Sequence, residues 1–126
     1  MYSTNKEKAL ATLSQIKQAI LQVQEWNKDK ESADDFMTSP DGMKDLAASS
    51  MLIEAIGEGF KNIDKLTDGK LLPLRPEIPW KEVKGIRDKI AHGYFDIDAD
   101  IIFESARYDL PELMPAIDFF INKLTS

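Results

Sequence analysis

The sequence contains no cysteine and only one histidine, His92, in 126 residues. Thiol catalysis, cysteine-built zinc sites and disulfide frameworks are therefore excluded, as is any metal site made from several histidines. Long apolar runs are missing too: no window approaches the ~18 consecutive apolar residues of a membrane span. The opening residues, Met1 to Lys8, carry no apolar signal core. Glycine and proline number six each, too few for a collagen-like or low-complexity chain. Positive charge is also in deficit, with 16 basic against 22 acidic residues and a net charge of −6. An acidic chain does not adhere broadly to RNA or to an anionic membrane, so any RNA contact must be a local patch. The remaining composition, 43% hydrophobic and 30% charged, is ordinarily globular. The expectation is one soluble, cytoplasmic domain spanning residues 1–126, without membrane association.

Apolar spacing predicts helices throughout. Leu10, Leu13, Ile16, Ile20 and Val23 recur at three- and four-residue intervals, predicting a helix from Asn5 to about Lys30. Asp29–Gly42 is polar and offers at most a short helix around Ala33, Phe36 and Met37; Ser39 or Asp41 is placed to cap the next long helix. From Met43 to about Leu66 one stripe reads Met43, Leu46, Ile53, Ile56, Phe60, Ile63. A second, smaller stripe reads Ala48, Leu52, Ala55, Gly59. Two buried stripes place a helix at the centre of a bundle, or against a second subunit. Thr67–Pro79, with Gly69, Pro73, Pro76 and Pro79, reads as a loop. A helix is expected from Trp80 to the neighbourhood of His92, with Val83, Ile86 and Ile90 inward and Gly93 as its stop. Asp98 can cap a helix bearing Ile101, Ile102 and Ala106. Asp109-Leu110-Pro111-Glu112 resembles the start of a last helix that buries Leu113, Ile117, Phe120, Ile121 and Leu124. No segment alternates with period two for long enough to make a strand. The expected fold is all-α, an antiparallel four- to five-helix up-and-down bundle that is homodimeric.

Two apparent motifs fail on their spacing. Asp96-x-Asp98-x-Asp100 opens like a calcium loop, but Ile101 and Arg107 stand where glycine and glutamate are required. Gly57-Glu58-Gly59 begins like a dinucleotide loop but lies within a helical pattern, with Asn62 at the third glycine position. Both read as ordinary structure: helix-start aspartates and close packing. Neither a Walker loop nor a nucleophile elbow is present.

One constellation survives. Arg87, His92 and Tyr94 fall within eight residues in a stretch, Trp80–His92, that holds four basic and two acidic residues. Lys81, Lys84 and Arg87 form a basic strip leading toward Asp88 and His92. A helix C-terminus and Asp88 four residues earlier favour a charged imidazole, and the neighbouring cations oppose it. A histidine titrates near neutrality, where general acid–base work is most efficient. Arg87 supplies a planar, two-pronged donor suited to phosphate and to an anionic phosphorane-like transition state. On an unbroken helix the two side chains point about 140° apart. Either Gly93 breaks the helix, or a second copy of the chain completes the site. The plainer alternative is a solvated Asp88–His92 pair beside a packed tyrosine.

Arg87-x4-His92-Gly93-Tyr94 resembles the hallmark of the HepT-like toxins of the HEPN superfamily, which pair with minimal nucleotidyltransferase (MNT) antitoxins. The flanks agree: Ile78-Pro79-Trp80-Lys81-Glu82-Val83 before the motif, Phe95 after it, and Asp109-Leu110-Pro111-Glu112-Leu113 further on. Glu54-Ala55-Ile56-Gly57-Glu58 is similar to the family's central-helix signature. The resemblance implies an all-α homodimer with a cleft between subunits, acting as a metal-independent endoribonuclease of a type II toxin–antitoxin system. It makes Arg87 and His92 the catalytic pair. It makes Tyr94 the hydroxyl to which the nucleotidyltransferase transfers AMP, and Glu58 an accessory residue with Lys81, Lys84 and Asp88. No metal or cofactor is implied, ATP entering only through the partner. The chain departs from common members at Phe95-Asp96-Ile97-Asp98, where an acid replaces a frequent glycine and works against RNA binding.

Three functions remain, in order of preference: the ribonuclease toxin, a non-catalytic substrate or binding subunit of a nucleotidyltransferase, and a plain helical interaction module.

Overall fold

The Thr4 hydroxyl accepts a hydrogen bond from the Glu7 N–H at 3.1 Å, capping helix α1, Asn5–Asn27. The computed structural model describes residues 4–90 and 96–126. The predicted stripe of α1 is buried from Leu13 through Val23, with Ala9 fully covered and Leu10 half-buried beside it. The helix stops short of Lys30. The buried Asn27 amide donates both to the Val23 carbonyl at 2.7 Å and to Ser49 Oγ at 2.8 Å, so a side chain occupies a carbonyl of the last turn. A 3₁₀ turn, Ala33–Phe36, comes next and drives Phe36 into the core.

Of the two candidate caps, Ser39 is the one used: its Oγ accepts from the Gly42 N–H at 3.0 Å. With Pro40 in the first turn, α2 runs Pro40–Leu66, three residues earlier than the apolar pattern suggests. Thr12 with Asn62, Ile16 with Gly59, and Asn27 with Ser49 meet in opposite order along the two helices. α1 and α2 are therefore antiparallel. Leu46, Ile53, Ile56, Phe60 and Ile63 are buried as predicted. Met43 is not; it is 55% exposed. The second stripe divides: Gly59 lies under Ile16, Ala48 and Leu52 are half-buried, and Ala55 is exposed.

The proline-rich stretch is a loop, with a 3₁₀ turn at Leu72–Leu74 that seats Leu71 and Leu72 in the core. The helix expected from Trp80 to His92 is two pieces, α3 (Trp80–Lys84) and α4 (Ile86–Ile90), joined at Gly85. Glycine is the weakest helix former after proline, and the Gly85 N–H closes the first piece on the Lys81 carbonyl at 3.1 Å. The strip of Lys81, Lys84 and Arg87 therefore runs across a break in the helix. Trp80 anchors the region, with ring centroids 5.0 Å from Phe60 and 5.7 Å from Phe120 and its indole N–H on the Arg75 carbonyl at 3.0 Å.

Asp98 caps α5 (Ala99–Glu104) as expected, accepting from the Ile101 N–H at 3.2 Å. Asp109 does not start a new helix. α5 passes through a π-helical turn, Ser105–Asp109, straight into α6, Leu110–Thr125. Pro111 has no N–H, and its ring would clash with the carbonyl four residues back; a widened turn accommodates both defects without ending the helix. α6 buries Leu113, Ile117 and Phe120, with Ile121 and Leu124 half-buried, and Lys17 on α1 holds Asp118 at 2.7 Å. The result is all-α, with no strand among the described residues and one continuous core. No helix among the described residues is long and apolar enough to cross a membrane.

Candidate functional site

The described candidates fall on three helices, Glu58 on α2 and the others on α3 and α4. Lys81 is exposed on α3; Arg87 and Asp88 are exposed on α4. His92 and Tyr94 lie outside the described residues. Arg87 is an exposed residue, and no hydrogen bond or ion pair joins it to another described residue. On the far side of residues 91–95, the Asp98 N–H donates to the Ile90 carbonyl at 2.9 Å, so the chain leaving α4 and the chain entering α5 are tied together.

The basic strip is not continuous. Lys84 is turned onto α2, where its ammonium is bonded to the Asp64 carboxylate, both side chains half-buried. Its charge is locally cancelled, which leaves Lys81 and Arg87 as the solvent-facing members of the trio. Glu58 lies on the outer face of α2 and holds Lys61 at 3.0 Å, one turn away on the same helix.

A groove that the apolar pattern did not reveal lies between α2, the α3–α4 pair and α6. Its volume is about 450 Å³. Ile53, Ile56, Val83, Ile86, Leu110 and Leu113 form its floor, and Arg75, Glu77, Glu82, Lys89, Asp109 and Glu112 its rim. None of the described candidates lines it. Its one sequence signal is Gly57, where an added Cβ would stand 2.9 Å from Ile86 Cγ2 and 3.0 Å from the Val83 carbonyl oxygen. That glycine lets α2 approach the α3–α4 joint and fixes one groove wall. At the rim, the Arg75 guanidinium bonds Glu77 at 2.8 Å and lies 5.2 Å from the Phe119 ring centroid. The hydrogen bond from Arg75 holds the Glu77 carboxyl below the usual carboxylate range.

The family described as "Ribonuclease HepT-like" matches residues 16–119, a span that includes Arg87, His92 and Tyr94. The chain belongs to the HepT-like family. Among its relatives, "Putative RNase TTE0752" of Caldanaerobacter subterraneus subsp. tengcongensis is 34% identical over 92 residues, covering 73% of this chain and 76% of that protein. "Probable ribonuclease HepT" of Thermococcus cleftensis is 43% identical over 61 residues, 48% of this chain and 52% of that protein. "Putative RNase MJ0125" of Methanocaldococcus jannaschii is 39% identical over 72 residues, 57% and 59% of the two chains. The chain thus spans little more than half the length of the last two. No solved structure matches it significantly. HepT-like membership agrees with the all-α architecture and with the resemblance carried by the Arg-x4-His-x-Tyr motif.

Proposed function

We propose that the chain is the toxin of a type II toxin–antitoxin pair, an endoribonuclease that cuts RNA without a metal ion. The observation that carries this reading is Arg87-x4-His92-x-Tyr94 inside a span matched by the ribonuclease HepT-like family. The solvent-facing position of Arg87 on α4 supports it. In the proposed reaction, the His92 imidazole takes the proton of a ribose 2′-hydroxyl. The 2′-oxygen then bonds to the adjacent phosphorus while the bond from phosphorus to the 5′-oxygen breaks. The proton passes to that leaving oxygen, and a cyclic phosphate remains. Arg87 holds the charge that builds on the phosphoryl oxygens. One positioned acid or base contributes about 10²–10⁴-fold. Lys81 helps retain the strand; Lys84, already bonded to Asp64, contributes less.

The working form is a homodimer, and an MNT-type nucleotidyltransferase silences it. The Tyr94 oxygen attacks the α-phosphorus of ATP, pyrophosphate leaves, and the AMP installed puts a bulky anion beside the Arg87 site. The test uses purified chain, free of any partner, on RNA in EDTA. Wild type cleaves, and His92→Ala and Arg87→Ala lose at least about 10²-fold; equal cleavage by the His92 variant overturns the reading. The second reading, a non-catalytic substrate of the nucleotidyltransferase, is favoured by the net charge of −6. It predicts AMP-sized mass increments on wild type but not on Tyr94→Phe, with no RNA cleavage by either.

A further inference from the structure

The groove beside the α3–α4 joint does not end at α6. A second hollow, of about 310 Å³, shares Ile86, Lys89, Ser105 and Asp109 with it. Together they follow the continuous α5–α6 helix from Asp100 to Pro115, about 20 Å along its axis. Val83, Ile86 and Ile101 on the lining are half-buried, and Pro79 and Pro115 are exposed, so apolar surface still meets water there. The rim is largely of one sign. Glu77, Glu82, Asp100, Glu104, Asp109 and Glu112 line it, all exposed, against Arg75 and Lys89. Arg75 is already bonded to Glu77, and no ion pair joins the other acids to a described residue. The π-helical turn aligns this row. In an α-helix, residues five apart point about 140° from each other. The turn at Ser105–Asp109 takes up an additional residue. Glu104 and Asp109 therefore reach the same hollow, with Asp100 one turn before them and Glu112 one turn after.

Each feature removes a class of occupant. A row of carboxylates repels RNA and anionic membrane. A hydrated metal ion or a polyamine satisfies the rim but leaves the apolar floor wet. The walls are helices and offer no strand edge, so a docked chain must pair its own backbone N–H and C=O groups, as a helix does. From this juxtaposition of apolar floor and acidic rim we infer that the groove docks an amphipathic helix of a partner protein. That helix is about three to four turns long, the length of the groove, and carries lysine or arginine on both flanks of its apolar stripe. The stripe settles on Val83, Ile86 and Ile101, and the flanking cations meet the rim acids. None of the described candidates of the ribonuclease reading lines this groove, and binding is measured without RNA, so either reading can fail alone.

The probe is a fluorescein-labelled, amidated peptide of about fourteen residues, made of leucine and lysine with the leucines at helical spacing. Its binding to the full chain is followed by fluorescence anisotropy at physiological salt. Wild type is expected to bind it saturably. Glu104→Lys with Glu112→Lys is expected to weaken binding at least about tenfold. Glu7→Lys with Glu31→Lys changes the net charge equally, at exposed positions outside the groove, and is expected to cost less than about threefold. Replacing the peptide's leucines by glutamine is expected to lose at least about tenfold, because the apolar floor is then unmatched. Circular dichroism confirms folding of each variant, all at exposed positions. Docking in the groove is overturned by a wild type that does not bind saturably, or by equal weakening in the two double variants, which marks attraction to net charge alone. It is overturned as well by a glutamine peptide that binds equally. A change in sedimenting mass between wild type and the Glu104, Glu112 variant without peptide also overturns it, since the groove is then a contact between copies.

Discussion

Single side chains in this protein are placed by what they bond more than by the stripe they belong to. Lys84 reads in the sequence as part of a basic strip, yet it turns inward to Asp64 on α2. Asn27, polar and at the end of an apolar stripe, is buried because its amide finds the Val23 carbonyl and the Ser49 hydroxyl. Arg75 organises the groove rim through Glu77, Phe119 and, by its carbonyl, Trp80. A testable consequence concerns Glu77. Its depressed carboxyl value means that the charged form is favoured by folding. The stabilisation is present above the ordinary glutamate range and is lost as pH falls through the lower folded value. In a carboxyl-detected NMR titration the Glu77 midpoint is expected below that of an exposed glutamate. Arg75→Ala is expected to move it up toward the ordinary range, since the hydrogen bond from Arg75 is the largest cause, with a backbone hydrogen bond at Glu77 remaining. An unchanged midpoint in that variant contradicts the assignment.

At the scale of elements, helix positions and apolar faces were legible because period 3.6 and capping chemistry act locally. Ser39 with Pro40, and Asp98 ahead of Ala99, start helices in the structure for the reasons visible in the sequence. Two boundaries were not legible. The break at Gly85 and the π-helical passage through Ser105–Asp109 depend on what each helix packs against, and a proline near a start signal is equally compatible with a bulge. The close approaches of α2 to the α3–α4 joint and to α1 have a direct test in one glycine each, Gly57 and Gly59. At Gly57 an added methyl meets the Val83 backbone carbonyl, which cannot step aside; at Gly59 it meets only side chains of α1, Ile16 closely and Thr12 at ordinary contact. Gly57→Ala is expected to lower stability by about 1–3 kcal/mol in urea melts despite the better helix propensity of alanine. Gly59→Ala is expected to cost less, because Ile16 can change rotamer. A reversed order contradicts the packing described for the groove wall.

For the whole molecule, the balance between net charge and local charge governs any nucleic-acid contact. The chain carries −6 overall, and Lys81, Arg87 and Lys89 are its exposed cations on α3 and α4. With about three phosphates engaged, the logarithm of single-stranded RNA affinity is expected to fall with the logarithm of salt at a slope of about −2. Fluorescence anisotropy with a His92→Ala chain, between low and physiological salt, measures it. A slope several times steeper indicates a much larger basic surface than α3 and α4 provide, and a flat response removes phosphate contact altogether.

The candidate site divides along the same line. The types and order of Arg87, His92 and Tyr94 are properties of the chain, and their spacing within a HepT-like span is read without coordinates. The all-α class was likewise written in the sequence, because apolar periodicity and caps are short-range chemistry. Tertiary structure alone decided that Lys84 is bonded to Asp64, that Met43 and Ala55 face outward, and that a 450 Å³ groove opens beside the α3–α4 joint. Each of these depends on which face of one helix meets another. That choice is made by packing between segments distant in sequence, and no local pattern along the chain encodes it.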